Sequence, residues 1–314
     1  MGIAAATLIR GMIMFCFRMN SGFSRIVGIA MKFHVAVMML VLAAGEVCGE
    51  ISIISRALPG IVIHSETRTN PPQRLFVAEI DLTNPALQLR VAPGGDDPDG
   101  EGKWETTLMH PTRIAERENF ALVVNGDFYE VPRPENTGAS KALYRISSWA
   151  AVSGPAASAG KVWSTSSEAR PCLVVDKDGK VSIQNLREPR PNDLEVVSGN
   201  VMLVHDGKIV SHANKQRHPR TAVGLNRDAT RLVLLVVDGR KPGVAMGMTY
   251  EELASEFLRL GCHEALNLDG GGSSVMAVRD GAGQGLRILN EPTDGRERPV
   301  ANVLGISVRP HSNN

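Results

Sequence analysis

Three apolar runs in this chain stop in the same way. "LVVNGDFY" reaches Asp127, "LLVVDGR" reaches Asp238 and "ALNLDGGG" reaches Asp269, each beside glycine. Short runs rich in Val and Leu, bounded by Asn, Asp and Gly, read as β-strands that end in tight turns. The third run constrains the fold most, because Gly270, Gly271 and Gly272 follow Asp269 directly. Glycine is costly to order and gives no side-chain packing in return. Its use here implies a backbone path with positive φ, or a ligand lying against bare N–H groups. A nucleotide P-loop would continue with Lys and a helix. Ser273, Ser274 and a strand-like "VMAV" follow instead, so that reading fails. A plain glycine-rich turn is the bland alternative.

The rest of the chain repeats the β pattern. "GIVIHS", "RLFVAEIDL" and "LQLRVA" are short apolar or alternating runs separated by Pro, Asn and Gly. "CLVVDKDGKVSI" and "NVMLVHDGKIV" carry Asp-Gly between apolar runs, which predicts hairpins. "RTAVGLNRDATRLVLLVV" predicts another, turning near Asn226, and "RPVANVLGISV" a last strand. "PTRIAEREN" reads as a short helix with Pro111 near its start. The clear helix is "TYEELASEFLRLG": Thr249 and Glu252 have capping-box spacing, Leu253, Phe257 and Leu260 recur on one face, and Gly261 suits the left-handed end. Residues 132–168, rich in Pro, Gly, Ser and Ala, read as a long loop. The class expected is α+β, a β-dominated single domain with mixed or antiparallel sheets and a few helices, over residues 50–314.

Residues 1–49 stand apart. From Met31, "MKFHVAVMMLVLAAGEVCGE" has a Lys, an apolar run and then small residues. That is the pattern of a signal peptide, with Met31 as the expected start and a secreted or periplasmic mature chain. No later apolar run is long enough to span a membrane. Lys and Arg number 34 against 33 Asp and Glu, for a net charge of +1. Such a balance offers no basic patch for nucleic acid. Outside the leader two cysteines remain, Cys172 and Cys262; one disulfide and two buried thiols are both open.

If the strands ending at Asp127, Asp238 and Asp269 share a sheet, their carboxylates gather at one edge. Arg220, in "HPRTAVG", is the candidate basic partner, since its planar fork matches phosphate or carboxylate. His218 and His205 are weaker candidates. No spacing calls for a metal or other cofactor, and a structural divalent cation beside the acids stays compatible with the pattern.

The ordered set "NGDFY", "SGNVML", "RTAVG", "VVDGR", the capped helix with "ALNLDGGGSS", and "RPVANVLG" resembles the phosphodiester glycosidase domain, over Leu75 to Val308. The resemblance implies a hydrolase that releases a sugar from a carbohydrate phosphodiester. By matching motif it implies a pocket of Asn125, Asp127, Arg220, Thr221, Asp238, Asp269, Gly270, Gly271, Gly272, Ser273 and Arg298. Asp127 and Asp269 would act at the anomeric carbon, and Arg220, with Arg298, would hold the phosphate. Eukaryotic members carry cysteine-rich segments and a membrane anchor not seen here, so the resemblance implies no lysosomal-targeting role; the sugar stays open, with cell-wall or exopolysaccharide phosphodiesters as further substrates. Two other readings stay open: a non-catalytic carbohydrate- or phosphoglycan-binding protein in exopolysaccharide or envelope processing, and a structural protein of polysaccharide assembly.

Overall fold

The computed structural model describes residues 49–55, 58–132, 144–279 and 285–309. The leader peptide and the start at Met31 lie outside the described residues. The largest sheet has eight strands, in the order β1 (Gly49–Ser55), β2 (Ile61–Thr69), β3 (Pro72–Asp81), β17 (Arg231–Val237), β16 (Arg220–Leu225), β18 (Glu264–Asn267), β14 (Val201–His205) and β15 (Lys208–Ile209). A five-stranded sheet runs β20 (Leu286–Ile288), β19 (Met276–Arg279), β6 (Leu122–Asn125), β21 (Asn302–Val308) and β4 (Leu87–Pro93). Another runs β10 (Lys161–Ser164), β9 (Ala156–Ser158), β13 (Asp193–Ser198), β11 (Arg170–Asp176) and β12 (Val181–Leu186). A small sheet joins β5 (Thr106–Thr107), β8 (Trp149–Val152) and β7 (Tyr129–Glu130). The strand pairings described are antiparallel.

The run "RLVLLVV" is apolar throughout because β17 is covered on both faces. Leu232, Leu234 and Val236 pack with Leu122, Val124 and Leu304 of the facing sheet. Val233, Leu235 and Val237 pack under Leu253, Ala254 and Phe257 of helix α2 (Tyr250–Arg259). Burying Leu253 and Phe257 stabilises by about 1.5–3 kcal/mol each. The short α1 (Pro111–Arg117) covers the outer face of the β6–β21 sheet through Ile114 and Ala115, beside Phe120, Val123 and Val303. The layers therefore run helix, sheet, sheet, helix, in a β-dominated α+β domain. Both halves of the capping box form: Glu252 N–H donates to Thr249 Oγ1 at 3.2 Å and Thr249 N–H to Glu252 Oε2 at 2.9 Å.

The Asp-Gly hairpins become β11–β12 and β14–β15, and the turn near Asn226 joins β16 to β17. The long loop expected over 132–168 is corrected in part: β8, β9 and β10 lie within it. Their Ala- and Ser-rich sequences lack the bulky alternation that marks a strand, and residues 133–143 lie outside the described residues. Gly49 already pairs with Arg68 at the start of β1, one residue before the expected boundary. Cys172 and Cys262 are both free and buried. Burial pushes the Cys262 thiol up to about 12, and raises the Cys172 thiol as well. No helix among the described residues is long and apolar enough to cross a membrane.

Candidate active site

Asn125, at the end of β6, is where the sheets are tied together. Its Nδ2 donates to the Asp269 carbonyl at 2.7 Å. Its Oδ1 accepts from Thr221 Oγ1 at 2.7 Å and from Val275 N–H at 3.2 Å. Thr221 can reach it because alternate residues of β16 face opposite layers. Thr221 and Val223 point between the sheets, while Ala222 points toward α2. Both Asn125 and Thr221 are fully buried, so this clamp fixes the backbone on either side of the glycines.

Asp127 lies two residues on and is buried. Ser198 donates to its Oδ1 through both its N–H, at 2.8 Å, and its hydroxyl. Asn302 Nδ2, at the start of β21, donates to Oδ2 at 2.5 Å, and Asp127 N–H donates back to Asn302 Oδ1 at 2.8 Å. Burial pushes Asp127 up to about 7, against those donors and reinforced by the nearby charge of Asp269. Both carboxylate oxygens are thus committed to the protein.

Each glycine after Asp269 has its own reason. A Cβ on Gly270 would lie 2.7 Å from the Pro219 carbonyl oxygen. Gly271 has φ +63°, a region that costs other residues about 1–2 kcal/mol, and it faces the Arg240 guanidinium. A Cβ on Gly272 would lie 2.0 Å from Arg298 Nη2. The loop, closed as a short 3-10 turn over Gly271–Ser273, therefore carries a guanidinium on each of two neighbouring glycines. Asp269 is half-buried; its Oδ1 accepts from Gly270 N–H at 2.8 Å. Burial pushes it up to about 6, opposed by the Ser273 hydroxyl, the Gly270 N–H, Arg298 and Arg240. The Ser273 hydroxyl is buried and completes no well-aligned hydrogen bond among the described residues. It is a polar group with spare capacity beside the carboxylate.

Arg298 is held from behind. It pairs with Asp294 at 2.8 Å and lies 4.5 Å over the Tyr144 ring. Tyr144 packs edge-on to Tyr129, whose hydroxyl donates to the Pro299 carbonyl at 2.9 Å. Beyond Arg298 a cleft of about 460 Å3 opens, bordered by Tyr144 and Pro299.

Two expected residues sit differently. Arg220 does not point toward the acids. Its Nε donates to the Met248 carbonyl at 3.0 Å, its Nη2 to the Gln216 carbonyl at 3.1 Å, and its guanidinium lies 4.1 Å from the Tyr250 ring centre. As the neighbour of Thr221 on a strand, it must face the helix layer when Thr221 faces Asn125. Asp238, also buried, accepts from Glu291 N–H at 3.0 Å and Asn290 Nδ2 at 3.2 Å, and so anchors a neighbouring segment. Ser198, Asn302 and Arg240 were not singled out from the sequence, although all three lie in the quoted motifs. His218 lies 3.5 Å from Arg240 Nη2, and burial lowers its pKa.

A half-buried carboxylate thus lies beside a glycine loop flanked by two guanidiniums, on a layered β fold. Residues 118–307 match the phosphodiester glycosidase family, a family of glycosidase-type hydrolases, and the chain belongs to it. The fold is similar to the zebrafish N-acetylglucosamine-1-phosphodiester alpha-N-acetylglucosaminidase catalytic domain auto-inhibited by its pro-peptide. The TM-score is 0.58 at 20% identity, covering 85% of this chain and 91% of that one. It is also similar to a Burkholderia pseudomallei protein named "Putative exported protein", at TM-score 0.53 and 17% identity, over 75% of this chain and 74% of the other. A Bacillus subtilis prophage-derived protein, YomE, is 43% identical over 91 residues, which is 29% of this chain and 13% of that protein's length.

Proposed function

We propose that this protein is an exported phosphodiester glycosidase that hydrolyses a sugar 1-phosphodiester to a free sugar and a phosphomonoester. The observation that carries the reading is the Arg240 and Arg298 guanidiniums set against Gly271 and Gly272, beside the Asp269 carboxylate. The guanidiniums take the phosphate and the loop's bare backbone lets it approach. The sugar then lies at Asp269. With its pKa near 6, Asp269 is ionised at neutral pH, able to act at C1 as nucleophile or as base toward water. The C1–O bond breaks and its electron pair leaves on the phosphate oxygen, while water supplies oxygen to C1. A phosphomonoester has a second pKa of about 6, so it departs as a stable anion without a strong acid. Arg240 and Arg298 stabilise the charge it gains. Asp127, its oxygens already engaged, positions Ser198 and Asn302 around the end of β6.

Export is supported by the leader pattern from Met31. Envelope or exopolysaccharide phosphodiesters are then the accessible substrates. N-acetylglucosamine, named for the zebrafish relative, is the first sugar to assay. Asp269→Asn is expected to lower kcat by at least about a thousandfold, with a melting temperature within a few degrees of wild type. Sugar release by the variant at the wild-type rate would remove Asp269 from the mechanism. Ligand binding with no release by wild type would favour the non-catalytic alternative.

A further inference from the structure

The cleft next to Arg298 carries cations that the proposed reaction does not use. Arg145 and Arg296 line it. Both are exposed, and neither side chain makes an ion pair or hydrogen bond among the described residues. The acids of the cleft are already engaged. Asp294 accepts from Arg298 at 2.8 Å, and Glu297 from Thr112 N–H at 3.1 Å. Elsewhere on the surface Arg74 and Arg217 also meet acids. The same cleft has an apolar wall: Tyr144 and Pro299 form part of it, and Ile146 is 44% exposed beside them.

Arg298 itself lines this cleft. With the sugar at Asp269 and the phosphate at Arg298, the cleft is the space open to the aglycone, which would share it with Tyr144, Ile146, Arg145 and Arg296. Two guanidiniums without a partner among the described residues, in a cleft whose acids are engaged, fit a negative charge on the substrate.

We propose that this cleft is an aglycone subsite, selecting sugar 1-phosphodiesters whose aglycone bears a second anionic group, which Arg145 and Arg296 hold. The inference rests on the phosphodiester glycosidase reading, and its test separates the two. The substrates are the 1-phosphodiesters of N-acetylglucosamine, glucose and galactose, each with ethyl, 2-phosphoethyl and 2-carboxyethyl aglycones. Wild type is expected to favour an anionic aglycone by about tenfold in kcat/KM, mainly through KM, as suits one or two charge-assisted contacts. The phosphate and carboxylate arms show which anion is preferred. In the Arg145→Gln/Arg296→Gln double variant the ratio between anionic and ethyl substrates should fall toward one. The preference should also shrink in wild type at high salt. A wild-type ratio below about two, or a ratio that survives in the double variant, overturns the subsite.

If wild type hydrolyses none of the panel, the glycosidase reading fails and the subsite is judged by calorimetry. Ethylene glycol bisphosphate should then bind wild type about tenfold more tightly than ethyl phosphate, and the double variant should lose that margin. Equal binding of the two probes by wild type overturns the subsite. Both positions are exposed, so the double variant should melt within a few degrees of wild type.

Discussion

Gly272→Ala should disable the site while leaving the fold intact. The new Cβ would lie 2.0 Å from Arg298 Nη2, 2.3 Å from its Cζ and 2.7 Å from Asp294 Oδ2, whereas ordinary contact begins at 3.4 Å. The guanidinium must therefore retreat by about 1.4 Å, the difference between 3.4 and 2.0 Å. The atoms in the way are ends of flexible side chains at a cleft, so the retreat costs little stability. The backbone at 272 is not in the left-handed region, and Ala restricts the unfolded chain, a gain of about 0.4–1 kcal/mol. Catalysis is less forgiving: misplacing a positioning group by about 1 Å can cost roughly a hundredfold. Expected, then, is a kcat/KM on a hydrolysed sugar phosphodiester reduced by about fifty- to a hundredfold, and a melting temperature within about 2 °C of wild type. Gly271→Ala is the contrast. Its φ of +63° imposes about 1–2 kcal/mol of strain, so that variant should melt several degrees lower. The Gly272→Ala/Arg298→Ala pair should be strongly non-additive, because both changes remove the same guanidinium. Wild-type activity in Gly272→Ala, or losses that simply multiply in the pair, would refute this account of the glycines.

Two further outcomes follow from buried charges. Asp127 is raised from 3.8 to about 7 in the folded chain, so between about pH 4 and 7 the unfolded chain releases a proton that the folded chain keeps. Stability must fall as pH rises through that window, by on the order of 4 kcal/mol from this group. Urea titrations at several pH values should show a clearly smaller fall in Asp127→Asn than in wild type, the remainder coming in part from Asp269, itself raised to about 6; identical slopes would place the carboxylate's protonation elsewhere. Arg220→Gln removes a guanidinium held by the Met248 and Gln216 carbonyls over Tyr250, at a cost of about 2–3 kcal/mol. KM for a sugar phosphodiester should change less than about threefold. A tenfold rise in KM with unchanged stability would return Arg220 to the phosphate.

Much of the architecture is legible where one local rule is strong. The Thr249 box and the Asp-Gly hairpins are local, and the structure builds them as read. The end of "LVVN" also appears where the apolar run stops, because Asn125 and Asp127 satisfy buried backbone as well as site chemistry. Side-chain direction is a different kind of fact. Arg220 and Thr221 differ by one residue, and only the strand's register decides which of them looks toward Asn125. Arg240 itself has a φ of +60°, a conformation nothing in "DGRK" announces. Ser198 and Asn302 lie in motifs that were visible, yet their partnership with Asp127 spans separate sheets. In β8 to β10 small side chains conceal the period that would have marked strands.

Asn302 opens the last strand, 175 positions after the aspartate it completes. During synthesis the earlier acids and glycines emerge first, without that amide to finish their surroundings. A nascent chain, or one clipped ahead of β21, would therefore leave Asp127 Oδ2 without its amide donor. The carboxylate that stands earliest in the sequence of motifs is thus the last to have its partners complete.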